Sequence, residues 1–303
     1  PLWSRGLGDV DKRQHCGYTE ATENTIVGER ELGDARLPWL DIQLRWYDYW
    51  LKGKKNGITD MPKVQYYLMG KNEWRQSEVW PPKDTTYQKW YLQGQGRANS
   101  RHGDGVLSLK APEKSNVDSF IYDPAHPVPS LGGHSCCTGS DSEAGGYDQS
   151  EIELRNDVLV YTSEALSEGI EVTGSIDVVL WVSSSATDTD FTAKLVDVYP
   201  DGRAFNIQEG ALRMRYRKSL SETELMTPGE LYEIRLDLRA SSNYFAKGNK
   251  IRLEITSSNF PRWDRNLNTG GNNYDEKKWM IANNKVHHGK DKLSYLILPV
   301  TKK

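Results

Sequence analysis

The chain has 303 residues, a formal net charge of −3, ten tryptophans and sixteen tyrosines. That length is enough for one large or two ordinary domains with real hydrophobic cores. The near-neutral charge excludes a basic field for nucleic acid or an anionic membrane, and no apolar run approaches the ~20 residues of a membrane span.

The chain begins with Pro1 rather than methionine, and it contains three cysteines. We interpret the N-terminus as processed or cut, so a signal peptide would not be visible, and a cytoplasmic, periplasmic or secreted location stays open. The odd cysteine count does not indicate a disulfide framework, and we interpret Cys16, Cys136 and Cys137 as reduced, mostly buried thiols. Their spacing predicts no metal site.

A single convincing helix follows residues 1–36, which show little periodicity and are predicted to be loop. Apolar residues then recur at spacings of three and four, which predicts a helix over 37–51. Asp34 is the expected cap and Gly53 the stop signal. The apolar face comprises Leu37, Leu40, Leu44, Tyr47 and Leu51. Such a face needs a partner surface, which is either the strand-rich remainder or a segment upstream of Pro1.

A charged linker over 52–62 indicates a domain boundary, and the pattern after it is that of β-strands. Short alternating runs with turn signals between them predict a β-sandwich or jelly roll. The predicted strands are 64–69, 85–92, 105–109, 157–163, 170–182, 212–217, 232–239, 251–256 and 295–300. The irregular stretch 122–149 is too long for an ordinary connection, which favours a functional or covering loop.

The hairpin over 188–204 is the expected centre of the sandwich. Its first strand has apolar residues on both faces, which is typical of a strand buried on both sides, and a Pro-Asp-Gly turn follows it. The hairpin carries four carboxylates, Asp188, Asp190, Asp197 and Asp201. They could converge on calcium, but turn chemistry and buried hydrogen bonding is the favoured interpretation.

The loop 257–271 combines Phe260 and Trp263 with many asparagines and arginines. It predicts either a binding surface or a hydrogen-bonded plug at the end of the sandwich. His287 and His288 are expected in a turn before the last strand, without a chemical role. The chain contains no Gly-x-Ser-x-Gly nucleophile elbow and therefore no complete serine-hydrolase site.

Four runs of sequence, in order along the chain, are together typical of one enzyme family. They are His15-Cys16 with VGERELGDARL (27–37) and LRWYDYWLKG (44–53); PVPSLGG (127–133) with DQSEIELRNDVLVYTSEAL (148–166); DTDFTAKLVDVYPDGRA (188–204); and SSNFPRWDRNLNTGG (257–271). The chain resembles the C-terminal part of the CocE/NonD group of acyl esterases and X-prolyl dipeptidyl-peptidases. The match spans nearly the whole chain and does not identify a substrate.

The resemblance implies that residues 1–53 end an α/β-hydrolase domain and that 63–303 form its all-β, jelly-roll, galactose-binding-like partner domain. It places His15 in the slot of the triad histidine, shortly before the last helix. The family's usual Trp-x-His could instead align with Trp3-Ser4-Arg5, which would put Arg5 there. The triad serine and aspartate would lie upstream of Pro1, and Phe260 and Trp263 would line the substrate pocket.

Two classes of function are therefore open. The first is the C-terminal part of a serine hydrolase that acts on small acyl esters, amides or peptides, with the upstream hydrolase domain as partner and no cofactor. The second is a stand-alone β-sandwich module that binds carbohydrate or peptide through its aromatic residues. In either class an exposed apolar helix face predicts self-association of the isolated chain.

Overall fold

The computed structural model describes residues 21–134 and 143–301. Within these ranges the chain forms fifteen β-strands and one α-helix, α1 (Trp39–Lys52). The strands are β1 (Thr25–Val27), β2 (Arg30–Gly33), β3 (Val64–Leu68), β4 (Glu73–Ser77), β5 (Thr85–Gln93), β6 (Val106–Ser108), β7 (Asn116–Tyr122), β8 (Leu159–Thr162), β9 (Ile170–Ser184), β10 (Asp190–Val198), β11 (Ala204–Arg213), β12 (Tyr232–Phe245), β13 (Lys250–Thr256), β14 (Ala282–His288) and β15 (Tyr295–Thr301).

Eleven strands form one sheet, in the order β11-β10-β13-β8-β6-β5-β15-β9-β14-β7, with β12 paired to β9. The pairs β1–β2 and β3–β4 are separate antiparallel hairpins. The main hydrophobic core contains side chains from both halves of the large sheet, including Leu180 and Leu236 from one half and Leu195 and Leu253 from the other. The sheet therefore folds over a shared core. The all-β prediction is confirmed, while the jelly-roll connectivity stays a prediction.

The predicted central hairpin is β10 and β11, and β10 lies between β11 and β13. All nine residues of β10 are buried. Phe191 and Leu195 belong to the main core, whereas Val196 and Val198 pack with Ala204 on the opposite face. Burial on both faces is therefore confirmed, and something other than the main core must cover the second face.

The stretch 143–149 lies on that second face, where Gln149 accepts from Lys194 Nζ (2.7 Å), and a short hairpin that was expected to be loop packs beside it. The hairpin β1–β2 lies within residues 1–36, and it contacts the stretch 143–149 through Gly146, whose N–H donates to Val27 O (3.1 Å) and whose carbonyl accepts from Glu29 N (2.8 Å). Gly28, at the turn of this hairpin, has φ +69°, and a Cβ there would lie 2.5 Å from the Gly146 oxygen. Strands of three or four residues are too short to show periodicity, so the loop prediction was wrong here.

Polar residues on core-facing positions hid two further strands, β7 and β14. Asp118 of β7 and His288 of β14 are both buried, and they bond each other (Oδ2 to Nε2, 2.7 Å). Asn284 of β14 is also buried and donates to Thr189 Oγ1 (3.0 Å) and Ser257 Oγ (2.7 Å). The prediction that His287 and His288 lie in a turn was therefore wrong, because their polar neighbours interrupt the apolar alternation that marks a strand.

The predicted strand over 212–217 ends early, because β11 stops at Arg213 and Met214–Tyr216 form a 3-10 turn. The turn follows from two hydrogen bonds to Asp188: its Oδ1 accepts from the Arg215 N–H (2.9 Å) and its Oδ2 from Arg215 Nε (2.7 Å). A buried carboxylate with two donors from one residue thus fixes a bend where the alternation alone predicted an extended chain.

The helix α1 agrees with the prediction to within two residues. Gly53 ends it in the left-handed conformation (φ +67°), and its N–H donates to Tyr49 O (3.1 Å). Asp34 does not cap the helix, since its carboxylate instead accepts from Arg36. Among the described residues, no helix is long and apolar enough to cross a membrane.

We predict that the central strand dominates stability, so Phe191→Ala should lower the free energy of unfolding by about 3–5 kcal/mol. Phe191 is fully buried, whereas Phe260 is 40% exposed and provides a matched control for the same substitution. Urea denaturation of both variants measures the difference. Equal losses for the two would contradict the assignment of β10 to the core.

Candidate functional site

The predicted polar loop 257–271 is fixed to the sheet by a cluster of buried carboxylates. Asn266 Nδ2 donates to Asp188 Oδ2 (2.8 Å) and to Asp190 Oδ1 (2.7 Å). Arg213 makes a bidentate ion pair with Asp190: its Nε and Nη2 donate to the two carboxylate oxygens, both at 3.0 Å. Burial raises the pKa of Asp190 to about 6 despite the opposing effect of Arg213. These two aspartates are thus partners of an arginine and an asparagine inside the protein.

The other two carboxylates of the central hairpin also have protein partners. Asp197 lies 3.8 Å from Arg30 and accepts from Asn249 Nδ2 (2.8 Å). Asp201 lies in the turn, where its carboxylate accepts from the backbone N–H and side chain of Arg203. Across the described ranges, no group of three His, Cys, Asp or Glu side chains is arranged to hold a metal ion.

Phe260 and Trp263 lie on the outer side of this fixed loop. Phe260 is hydrogen-bonded through its backbone to the stretch 127–134: its N–H donates to Val128 O (2.9 Å), and its carbonyl accepts from Ser130 N (2.6 Å). The central carbon of the Arg262 guanidinium, Cζ, lies 5.6 Å from the centroid of the Trp263 ring. The structure therefore brings the two predicted loops together and leaves both aromatic rings at least partly accessible.

A row of buried charged side chains lies beneath Trp263, and the sequence pattern did not predict how they pair. Glu254 of β13, Lys194 of β10 and Glu209 of β11 are register partners across three strands. Lys194 Nζ donates to Gln149 Oε1 (2.7 Å) and lies 3.5 Å from Glu254 Oε2. Glu209 accepts from Asn259 Nδ2 (2.8 Å). Charged residues in a strand that is apolar on both faces were the available signal for this row.

The two neighbouring histidines do not complete a catalytic triad, because they point to opposite faces of β14. His287 Nε2 bonds Ser183 Oγ (2.9 Å), while His288 bonds Asp118. Burial lowers the pKa of His287, and Lys285 lowers it further. Burial alone would raise the pKa of Asp118, but hydrogen bonds led by His288 outweigh it and hold that pKa below its usual value. A Ser–His pair and a His–Asp pair exist, but not as one unit.

The helix α1 presents its apolar face to solvent, apart from the buried side chain of Ile42. The exposed residues on it are Leu40, Leu44, Tyr47, Trp50 and Leu51. Within residues 21–134 and 143–301, the strand-rich remainder does not cover these side chains. His15, Arg5 and the three cysteines lie outside the described residues, so the predicted histidine slot stays a prediction.

Residues 56–297, which begin after α1, match the family described as the X-Pro dipeptidyl-peptidase C-terminal non-catalytic domain. The chain belongs to the CocE/NonD family of acyl esterases and X-Pro dipeptidyl-peptidases as its C-terminal portion, as the four sequence runs predicted.

Three relatives illustrate this membership. Cocaine esterase from Rhodococcus sp. (strain MB1 Bresler) is 45% identical over 317 residues, which cover 95% of this chain and 55% of that protein. A solved aminopeptidase from the marine sediment archaeon Thaumarchaeota archaeon is 27% identical, with a TM-score of 0.77 over 89% of this chain and 45% of its own. A solved α-amino acid ester hydrolase is also 27% identical, with a TM-score of 0.74 over 86% and 44%. The chain spans about half the length of these relatives.

Proposed function

We propose that this chain is the C-terminal part of a serine hydrolase that cleaves acyl ester or amide bonds, with Xaa-Pro peptide bonds as one candidate. The observation that carries this proposal is the 45% identity to cocaine esterase over nearly the whole chain. The two solved relatives, an aminopeptidase and an ester hydrolase, support acyl chemistry on amide and ester substrates.

In the proposed mechanism, the nucleophilic serine and the orienting aspartate lie in a hydrolase domain upstream of Pro1. The serine attacks the acyl carbonyl, the histidine takes its proton and returns it to the leaving group, and backbone amides stabilise the oxyanion. His15 is the proposed histidine, with the Arg5 position as the alternative slot. In this mechanism no residue of the sandwich transfers a proton. The sandwich provides surfaces that surround the active site.

The exposed face of α1 supports a docked partner domain. Five large apolar side chains on one helix face would each gain about 1.5–3 kcal/mol by burial, so their exposure in the folded sandwich needs a covering surface. We assign that surface to the upstream hydrolase domain. In its absence the same face explains the predicted self-association of the isolated chain.

The contact between the loops 127–134 and 257–271 supports a role at the mouth of the active site. Phe260 and Trp263 present aromatic surface there, and the hydrogen bonds of Asn266 and Asn259 hold the loop that carries them. Rigid aromatic side chains on a fixed loop suit selection of an acyl group by shape.

The histidine assignment predicts the outcome of fluorophosphonate labelling. The complete polypeptide, including the upstream domain, should be labelled on its serine, and residues 1–303 alone should not. In the complete polypeptide, His15→Ala should slow labelling at least about 10³-fold, because the serine loses its base. Labelling rates by mass spectrometry provide the measurement. Labelling of His15→Ala at the parent rate, together with faster labelling of Arg5→His, would move the slot to position 5.

The docking assignment predicts opposite behaviour of one substitution in two contexts. Leu44→Lys should leave the unfolding free energy of residues 1–303 unchanged within about 0.5 kcal/mol and reduce self-association, because Leu44 is 65% exposed. In the complete polypeptide it should cost about 2 kcal/mol or more, since a charge enters a buried interface. Leu220→Lys, at a position 89% exposed, is the control and should be silent in both. Thermal unfolding and light scattering decide.

The pocket assignment predicts that Trp263→Ala in the complete enzyme lowers kcat/KM about tenfold for at least one of several acyl groups, equivalent to about 1.4 kcal/mol of transition-state binding. Trp181→Ala is the control, because Trp181 is likewise half-buried but lies on β9 beneath Lys292. Steady-state kinetics with a series of esters compares them. Unchanged kcat and KM for Trp263→Ala across the series would end the pocket proposal.

A further inference from the structure

Two buried glutamates meet at one side of the charged row. Glu153 lies in the 3-10 turn Ile152–Leu154 and is fully buried, and Glu254 of β13 is 3% exposed. Arg252 contacts Glu153 Oε2 and lies two residues before Glu254, on the same face of β13, so the two carboxyl groups are neighbours. Carboxyl groups this deep in a protein are costly as anions unless each has good partners.

The partners of the two glutamates account for only one oxygen of each. Arg252 Nη1 contacts Glu153 Oε2, and Lys194 lies 3.5 Å from Glu254 Oε2. Lys194 gives its short hydrogen bond to Gln149, so Glu254 receives only the longer contact. In the described part of the chain, Oε1 of Glu153 and Oε1 of Glu254 have no hydrogen-bond donor.

A single proton explains both unpartnered oxygens. An ionised carboxylate only accepts hydrogen bonds, so two ionised groups in contact leave two acceptors facing each other. A protonated carboxyl group has one O–H to donate to the other. We propose that Glu153 and Glu254 share one proton between their Oε1 atoms at neutral pH, and that this proton fastens the turn Ile152–Leu154 to β13.

The charged groups around Glu153 and Glu254 come from several neighbouring elements. Arg252 comes from β13 and Lys194 from β10, while Glu209 and Arg262, which lie 3.6 Å apart, are one step further along the row. The backbone carbonyl of Glu153 accepts from the N–H of Arg101 (2.7 Å). The two nearer cations each serve one Oε2 atom, so neither replaces the proton between the Oε1 atoms.

The direction of the pKa shift agrees with this geometry. Burial, followed by the charge of Glu254, raises the pKa of Glu153 to about 8, against the lowering effect of Arg252. Between the ordinary glutamate pKa and about 8, the folded chain binds a proton that the unfolded chain releases. The associated stability is therefore fully present at low pH, falls as pH rises toward 8, and is lost above it.

Glu153→Gln tests the proposal, because its amide can donate to Glu254 permanently and cannot titrate. Relative to the parent chain, the folding equilibrium constant of Glu153→Gln should improve by up to about tenfold per pH unit between about pH 5 and 8, and then level off. Glu151→Gln is the control, since Glu151 is an exposed carboxylate two residues away. Denaturant unfolding across this pH range gives the slopes.

Two measurements on the parent chain keep the proposal testable even where the variant does not fold. Infrared spectroscopy at pH 7 should show the band of a protonated carboxylic acid, and hydrogen exchange of the 152–154 amides should accelerate above pH 8 beyond its intrinsic rise. Absence of that band would overturn the proposal, as would equal pH slopes for Glu153→Gln and Glu151→Gln.

Discussion

The burial of β10 on both faces is the constraint on which the rest of the structure depends. A strand in that position cannot leave a polar side chain without a partner, because water does not reach it. Asp190, Lys194 and Asp197 each lie on β10, and each is joined to a different covering segment. Asn266 comes from the loop 257–271, Gln149 from the end of the irregular stretch, and Arg30 from the β1–β2 hairpin. The polar residues of one strand thus position three otherwise independent pieces of chain.

That arrangement links the core to the two surfaces on which the proposed function rests. The loop with Phe260 and Trp263 is held by buried carboxylates rather than by packing of its own aromatic rings. The helix α1 follows a hairpin that is anchored to the sandwich by Arg30. The loop surface therefore has a defined position in the folded sandwich, which reduces the conformational entropy that binding must overcome.

Local pattern predicted those elements that have an uninterrupted apolar face. The central hairpin, the strand over 251–256 and α1 all follow from periodicity and a stop signal. Pattern failed at β7 and β14, where Asp118, Asn284 and His288 occupy buried positions: Asp118 and His288 bond each other, and Asn284 donates to Thr189 and Ser257. It also could not pair Lys194 with Gln149, because that contact joins residues 45 positions apart. The location of the polar loop was predictable, whereas its fastening required three-dimensional neighbours.

The ion pair between Arg30 and Asp197 has a consequence for where this protein can be divided. The linker over 52–62 looks like a natural cutting point, yet Arg30 lies before it and Asp197 well after it. Burial already raises the pKa of Asp197 to about 6 with Arg30 in place. A shortened version that starts at residue 63 would leave this carboxylate without its ion-pair partner and would expose Tyr67 and Met69, which pack against the β1–β2 hairpin. The sandwich thus includes contacts from the hairpin that precedes the linker. Cutting the chain at the linker would therefore remove residues that belong to the folded sandwich.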